Sequence, residues 1–177
     1  MDTVLVLFTR DLRIRDHPAL ASASRVAKHV VPTFVIDERL LATGFASPNR
    51  LAFLLDSLID LDRSLARRGA RLVVRRGNVV GEAIRLAEAT AAKAIFASAD
   101  VSAYARGREE RLRTASAKAG VDLQLFPGVT VASPGGLRTS SGVDHFRVFT
   151  PYWMAHGGPP PARVSSVSPG TSSRNCS

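Results

Sequence analysis

The sequence predicts an α/β fold: a Rossmann-like, doubly wound parallel sheet of five strands in the order 3-2-1-4-5, with flanking helices. Three observations predict it. Short apolar runs alternate with helix-length segments from residue 3 to residue 126, the pattern that gives parallel strands and right-handed crossovers. The first run, Val4-Leu5-Val6-Leu7-Phe8, is unbroken, as a strand covered on both faces requires. Charged residues gather where the runs end, at Arg10-Asp11, Asp37-Glu38 and Asp100. In open α/β sheets ligands bind at those ends.

Taken in order, the first strand spans about residues 3–9. Asp16 and Pro18 mark a helix start, one as a side-chain acceptor and the other as a ring that needs no amide partner. The helix runs from Pro18 to Lys28. His29–Ile36 is a second strand containing Pro32. Proline forfeits a ladder amide, so Pro32 is expected near the strand's beginning or at a bulge. A loop through Gly44 reaches Ser47-Pro48, a predicted N-cap and first helical residue. Leu51, Leu54, Leu55, Leu58, Ile59 and Leu65 then form a wide helical stripe, interrupted by Asp62. Gly69 is expected to end it in a left-handed cap.

Arg71–Arg75 is the third strand, and Gly77-Asn78 turns into a helix from Val79 to Ala91. Ala94–Ala97 is the fourth strand, ending in Ser98-Ala99-Asp100. A charged helix from Tyr104 to Ala119 is closed by Gly120. Val121–Phe126 alternates, as a strand near a sheet edge does. In the order 3-2-1-4-5, strands one and four are neighbours where the order reverses. The Phe8–Arg10 and Ser98–Asp100 turns are then expected to flank one ligand crevice.

The regular alternation stops after Pro127. Pro134-Gly135-Gly136 and Ser140-Ser141-Gly142 read as loop, Phe146–Trp153 is aromatic-rich, and Gly157 onward is rich in Gly, Pro and Ser. The expected organisation is an α/β domain over residues 1–130, the start of a linker over 131–154 and a disordered tail over 155–177.

The 177 residues suffice for one domain and a tail; a domain of roughly 150 residues buries about two-thirds of its unfolded-chain surface. No apolar run is long enough to span a bilayer. Asp2 stands where a signal peptide would carry positive charge. Both features point to the cytoplasm and away from a membrane. The single Cys176 cannot form an internal disulfide. The net charge of +9 permits a polyanionic partner, but the basic residues are spread along several helices.

Most catalytic motifs are missing. No Gly-x-Gly-x-x-Gly follows the first strand, and there is no Walker loop or Gly-x-Ser-x-Gly elbow. Cys and His are too few and scattered for zinc. His17, His29, His145 and His156 read as surface or capping residues. A mixed crevice remains, with Arg10, Asp11, Asp37, Glu38, Arg50 and Asp100 at strand ends and a helix start. Arginine holds an anionic or planar group, and Asp100 accepts from a ring hydroxyl or amide. The bland alternative is that Arg10 and Asp11 pair locally while Asp100 only caps the next helix.

Leu7–Arg13 followed by Asp16-His17-Pro18-Ala19-Leu20 resembles the N-terminal signature of the DNA photolyase/cryptochrome family. Ser47-Pro48-Asn49-Arg50 with Phe53-Leu54 is similar to its second motif. Asp100–Tyr104 with Arg106 and Arg108 is similar to its third. Phe146–Tyr152 resembles its fourth, a Tyr-x-Val-Phe-Thr-Pro-Phe-like segment. The four stand in the family's order and spacing over about residues 3–154. Leu7 replaces a common Trp, Ala46 a frequent bulky residue, and Ser102 a frequent acid.

The resemblance implies the family's N-terminal light-harvesting domain, as in a deoxyribodipyrimidine photolyase repairing pyrimidine dimers with light. It implies an antenna chromophore, 8-hydroxy-5-deazaflavin before a folate or FMN. The pocket carried over from the family consists of Phe8, Arg10, Phe34, Ile36, Ala46, Arg50 and Asp100. The resemblance places FAD and damaged DNA on a C-terminal helical domain that this sequence does not contain. No residue here is therefore assigned a catalytic role, and a truncated monomer is expected. Two other readings stand beside it: a free-standing flavin- or nucleotide-binding module, and a nonfunctional truncated product exposing Phe146–Trp153.

Overall fold

The computed structural model describes residues 1–44, 46–128, 130 and 146–156. The Gly/Pro/Ser loop over 134–142, His145, the tail from residue 157 and Cys176 lie outside the described residues. The predicted linker is described only over residues 146–154, and α6 (Phe149–His156) continues two residues into the expected tail, through Ala155 and His156.

The strands are β1 (Thr3–Phe8), β2 (His29–Asp37), β3 (Val73–Gly77), β4 (Ala94–Ser98) and β5 (Asp122–Phe126). They form one parallel sheet in the order β3-β2-β1-β4-β5, as predicted. The helices are α1 (Pro18–Val26), α2 (Glu38–Leu41), α3 (Pro48–Ala66), α4 (Val79–Ala89) and α5 (Ala103–Lys118).

β1 is central, and its side chains divide the core. Val4, Val6 and Phe8 face α1 and α3, against Leu20, Leu58, Leu61 and Leu65. Leu5 and Leu7 face the other way, against Val79, Leu86 and Leu112 of α4 and α5. These five β1 side chains are essentially inaccessible to water. Each contributes about 1.5–3 kcal/mol by burial.

Several local expectations change. Pro32 is the fourth of nine residues in β2, opposite Val6, not at a strand start or bulge. β3 pairs with β2 no earlier than Thr33, so at Pro32 β2 has β1 as its single ladder neighbour, an edge-like setting in which proline is tolerated. β3 begins at Val73, two residues later than expected, because the residues before it are engaged elsewhere. The Leu72 amide donates to Asp62 Oδ1 at 2.9 Å, and Arg71 pairs with Asp62 Oδ2 at 3.2 Å. These contacts explain an acid in the α3 stripe. Gly69 and Gly120 do adopt the left-handed conformation, with φ of 77° and 66°.

Helix starts follow the same physics with different residues. Asn78 caps α4 and Ser102 caps α5 through their side chains. Ser47 occupies the cap position of α3 without a side-chain bond, leaving Pro48 as its start signal. Asp16 is not the cap of α1. It takes a left-handed φ of 48°, which Asp tolerates, and His17 caps the helix instead.

Candidate functional site

The tips of β1 and β4 are joined by a buried polar cluster. His17 Nδ1 accepts from the Leu20 amide at 3.1 Å, which leaves the ring proton on Nε2. That nitrogen lies 3.1 Å from Asp11 Oδ2, without good hydrogen-bond alignment. Ser98 Oγ donates to the same carboxylate oxygen. The three residues are buried, and the Phe8 ring sits 4.8 Å from the His17 ring. Burial pushes the Asp11 carboxyl upward, but His17 and Ser98 outweigh it and hold the group below the usual carboxylate range.

One residue along, Arg10 Nη1 donates to both carboxylate oxygens of Asp100. Asp100 also accepts from the Ser102 amide at 3.0 Å. Here too burial raises the carboxyl, and the Ser102 amide and Arg10 together bring it below its ordinary value. Arg10 therefore pairs across the sheet rather than with its neighbour Asp11, and Asp100 supports the start of α5 without being its cap. These bonds tie together the two turns that were expected to flank the crevice.

A cavity of about 200 Å³ opens beside them, over the ends of β1 and β2. Phe8, Phe34 and Ile36 come to it from the side of the sheet that faces α3, and Val35 from the other side. α2 contributes Leu40 and Leu41, and α3 contributes Arg50, Leu51 and Leu54. Ala46 lines it from the connection between those helices. Val79 and Arg108 reach it from α4 and α5.

Its walls are apolar, with Arg50 and Arg108 as the cations and Asp37 as the acid. Asp37 caps α2 through the Arg39 amide at 3.0 Å and accepts from the Tyr104 hydroxyl. Partial burial and this carboxylate raise the Tyr104 hydroxyl above its ordinary value. Such a site suits a flat, mostly apolar ring with a polar or anionic edge.

Of the seven residues expected to form a pocket, Phe8, Phe34, Ile36, Ala46 and Arg50 line this cavity. Arg10 and Asp100 do not line it; they bind each other. The sequence reading missed Leu40, Leu41, Val79 and Arg108. Leu51 and Leu54 belong to the predicted apolar stripe, and Leu54 also to the second motif, but neither is among the seven expected pocket residues; their spacing on α3 is the available signal. Among the described residues no His, Cys, Asp or Glu side chains group as a metal site needs. No described helix is long and apolar enough to cross a membrane.

The DNA photolyase family model matches residues 4–164. A deoxyribodipyrimidine photo-lyase from Streptomyces griseus is 47% identical over 161 residues, covering 89% of this chain and 35% of that protein. The Arabidopsis thaliana blue-light photoreceptor PHR2 is 33% identical, covering 72% of this chain and 30% of its own length. The chain spans about a third of the length of the curated relatives it matches. In structure, a class III photolyase from Agrobacterium tumefaciens superposes with a TM-score of 0.87 at 24% identity, over 99% of this chain and 36% of that one. An archaeal photolyase from Sulfolobus tokodaii, solved with two FAD molecules that imply a novel light-harvesting cofactor in that protein, gives 0.83 at 22% identity, over 97% and 38%.

Proposed function

Because this chain belongs to the DNA photolyase family, we propose that its α/β domain holds a light-harvesting antenna chromophore in the cavity over β1 and β2. The observation that carries this reading is the cavity itself: an opening at the carboxyl ends of central strands, with aromatic and aliphatic walls and two arginines. The donor set fits a planar heteroaromatic ring, with Phe8, Phe34, Ile36 and Leu54 excluding water from its faces. Arg50 and Arg108 meet its electron-rich edge, and Ala46 leaves room where a larger side chain would intrude.

The ligand favoured is 8-hydroxy-5-deazaflavin, with a folate or FMN as alternatives of the same class. When bound, the group would absorb near-UV or blue light and pass on the energy. Arg10 and Asp100 serve as braces that hold the strand tips still, not as contacts. This reading assigns no bond-breaking step to the chain. Dimer repair, FAD and damaged DNA belong in it to the rest of a full-length photolyase.

The test is an absorption spectrum of the purified chain after separate incubation with the deazaflavin, a reduced folate and FMN, followed by gel filtration. Co-elution of the deazaflavin near one equivalent is expected. Elution of the chain free of all three would overturn the reading.

A further inference from the structure

A second concavity, about 810 Å³ and away from the chromophore cavity, runs between the loop after β1 and the second half of α3. Four arginines line it: Arg13 and Arg15 from the loop, Arg67 and Arg68 from the end of α3. Asp60 is its single acid, and Leu12, Ile14 and Leu61 give it an apolar floor. Nothing in the light-harvesting role uses it.

Arg67 and Arg68 lie at the carboxyl end of α3, where a cation offsets the helix dipole. That effect explains two of the arginines. It does not explain why the loop brings two more to the same place. Arg13 is held in position by the carbonyls of Arg15, Asp16 and Gly128, through Nε and Nη2 at 2.9–3.2 Å. Arg15 is exposed, and Arg67 donates to the Ser64 hydroxyl at 2.9 Å. Arg13 spends its Nε and Nη2 on these carbonyls and contributes a fixed positive charge, while the exposed Arg15 and Arg67 can turn their forks to phosphate oxygens. The groove is wide and open, with cations contributed from two separate elements. It therefore suits a linear polyanion better than one small anion, and the chain's net charge of +9 favours the same partner.

We propose that this arginine groove binds the phosphate backbone of duplex DNA without regard to sequence. It would give the α/β domain a DNA contact of its own, on the α1/α3 side of the sheet. The contact is independent of whether a chromophore is bound.

The experiment measures fluorescence anisotropy of a labelled, undamaged duplex of about 20 base pairs between about 50 and 200 mM salt. The full chain is compared with the double variant Arg15→Ala/Arg67→Ala and with Arg106→Ala/Arg111→Ala. The second pair removes the same charge from α5, on the opposite side of the sheet. The groove variant is expected to bind about tenfold more weakly at low salt, with its salt slope reduced by about 2. The α5 variant is expected to stay close to the parent. Equal losses in both variants would make the attraction diffuse and overturn the proposal. So would displacement of the duplex by inorganic phosphate or polyglutamate at matched ionic strength. Chromophore uptake by the groove variant, expected to be unchanged, separates failure here from failure of the antenna reading. Circular dichroism confirms that each variant is folded.

Discussion

Arg10 donates from one guanidinium nitrogen to both carboxylate oxygens of Asp100, at 3.2 and 3.1 Å, across the sheet position where strand order reverses. The pair is lopsided: the Arg10 side chain is 62% exposed and that of Asp100 only 2%. The two ends should therefore respond differently to mutation. Asp100→Ala leaves the Ser102 amide and Arg10 without their acceptor and is expected to cost about 2 kcal/mol. Arg10→Ala removes a solvent-screened partner and is expected to cost less than about 1 kcal/mol. Urea denaturation of both variants reads the difference, and equal costs would contradict the lopsided pair.

Asp11 supports a stronger prediction. Replacing it by alanine leaves Ser98 and His17 facing each other in a dry interior, at a cost of about 3 kcal/mol. Asp11→Asn keeps an oxygen for the Ser98 hydroxyl and should recover part of that loss. A guanidinium titration comparing the two variants checks the order.

Both carboxyls are depressed in the folded chain, so the folded state releases their protons more readily than the unfolded state. Their contribution to stability is complete above the ordinary carboxylate range. It is lost as pH falls through the lowered folded values, below about pH 4. Stability should be flat in this respect near neutrality and fall steeply in acid. The Asp11→Asn variant should show a shallower acid slope than the parent.

Tyr104 is one of two tyrosines in the chain, so its ionisation can be followed by ultraviolet difference absorption. Partial burial and the Asp37 carboxylate raise it. Its bond to Asp37 should persist through neutral pH and fail only as pH rises past the ordinary tyrosine range. Asp37→Asn should bring one tyrosine step down toward that range, and an unchanged titration would remove Asp37 as a cause.

Leu51 lines the cavity from a partly exposed position on α3. Leu51→Trp should fill the space without disturbing the buried Leu58, Leu61 and Leu65 beneath it. Chromophore uptake is expected to weaken at least tenfold, about 1.4 kcal/mol, with little change in Tm. Unimpaired uptake would place the ligand elsewhere.

The sheet could be read from the chain because β1 and β4 are apolar on both faces, a pattern set by burial alone. The site was harder. α2 has four residues, too few for any helical period to show, yet it supplies Leu40 and Leu41 to the cavity. Arg108 lies on a helix charged along most of its length, so no spacing distinguishes it from solvated neighbours. The cap of α1 went to His17 and not Asp16 because of a single backbone angle, which composition does not reveal. Arg10 and Asp100 lie 90 residues apart in sequence. The strand order could place them side by side, but not say that they would satisfy each other rather than a ligand.

The central place of β1 also bears on how the chain folds as it leaves the ribosome. β1 is made first, but its partner β4 begins at Ala94. At about 5–20 residues per second, several seconds separate the two. During that interval the nascent chain can form only the half-sheet β3-β2-β1, with one side of its most apolar strand open to any passing edge. That makes Ala94–Ser98 the strand that covers the open side of β1, and a ribosome stalled just before it would hold the chain in its most aggregation-prone form.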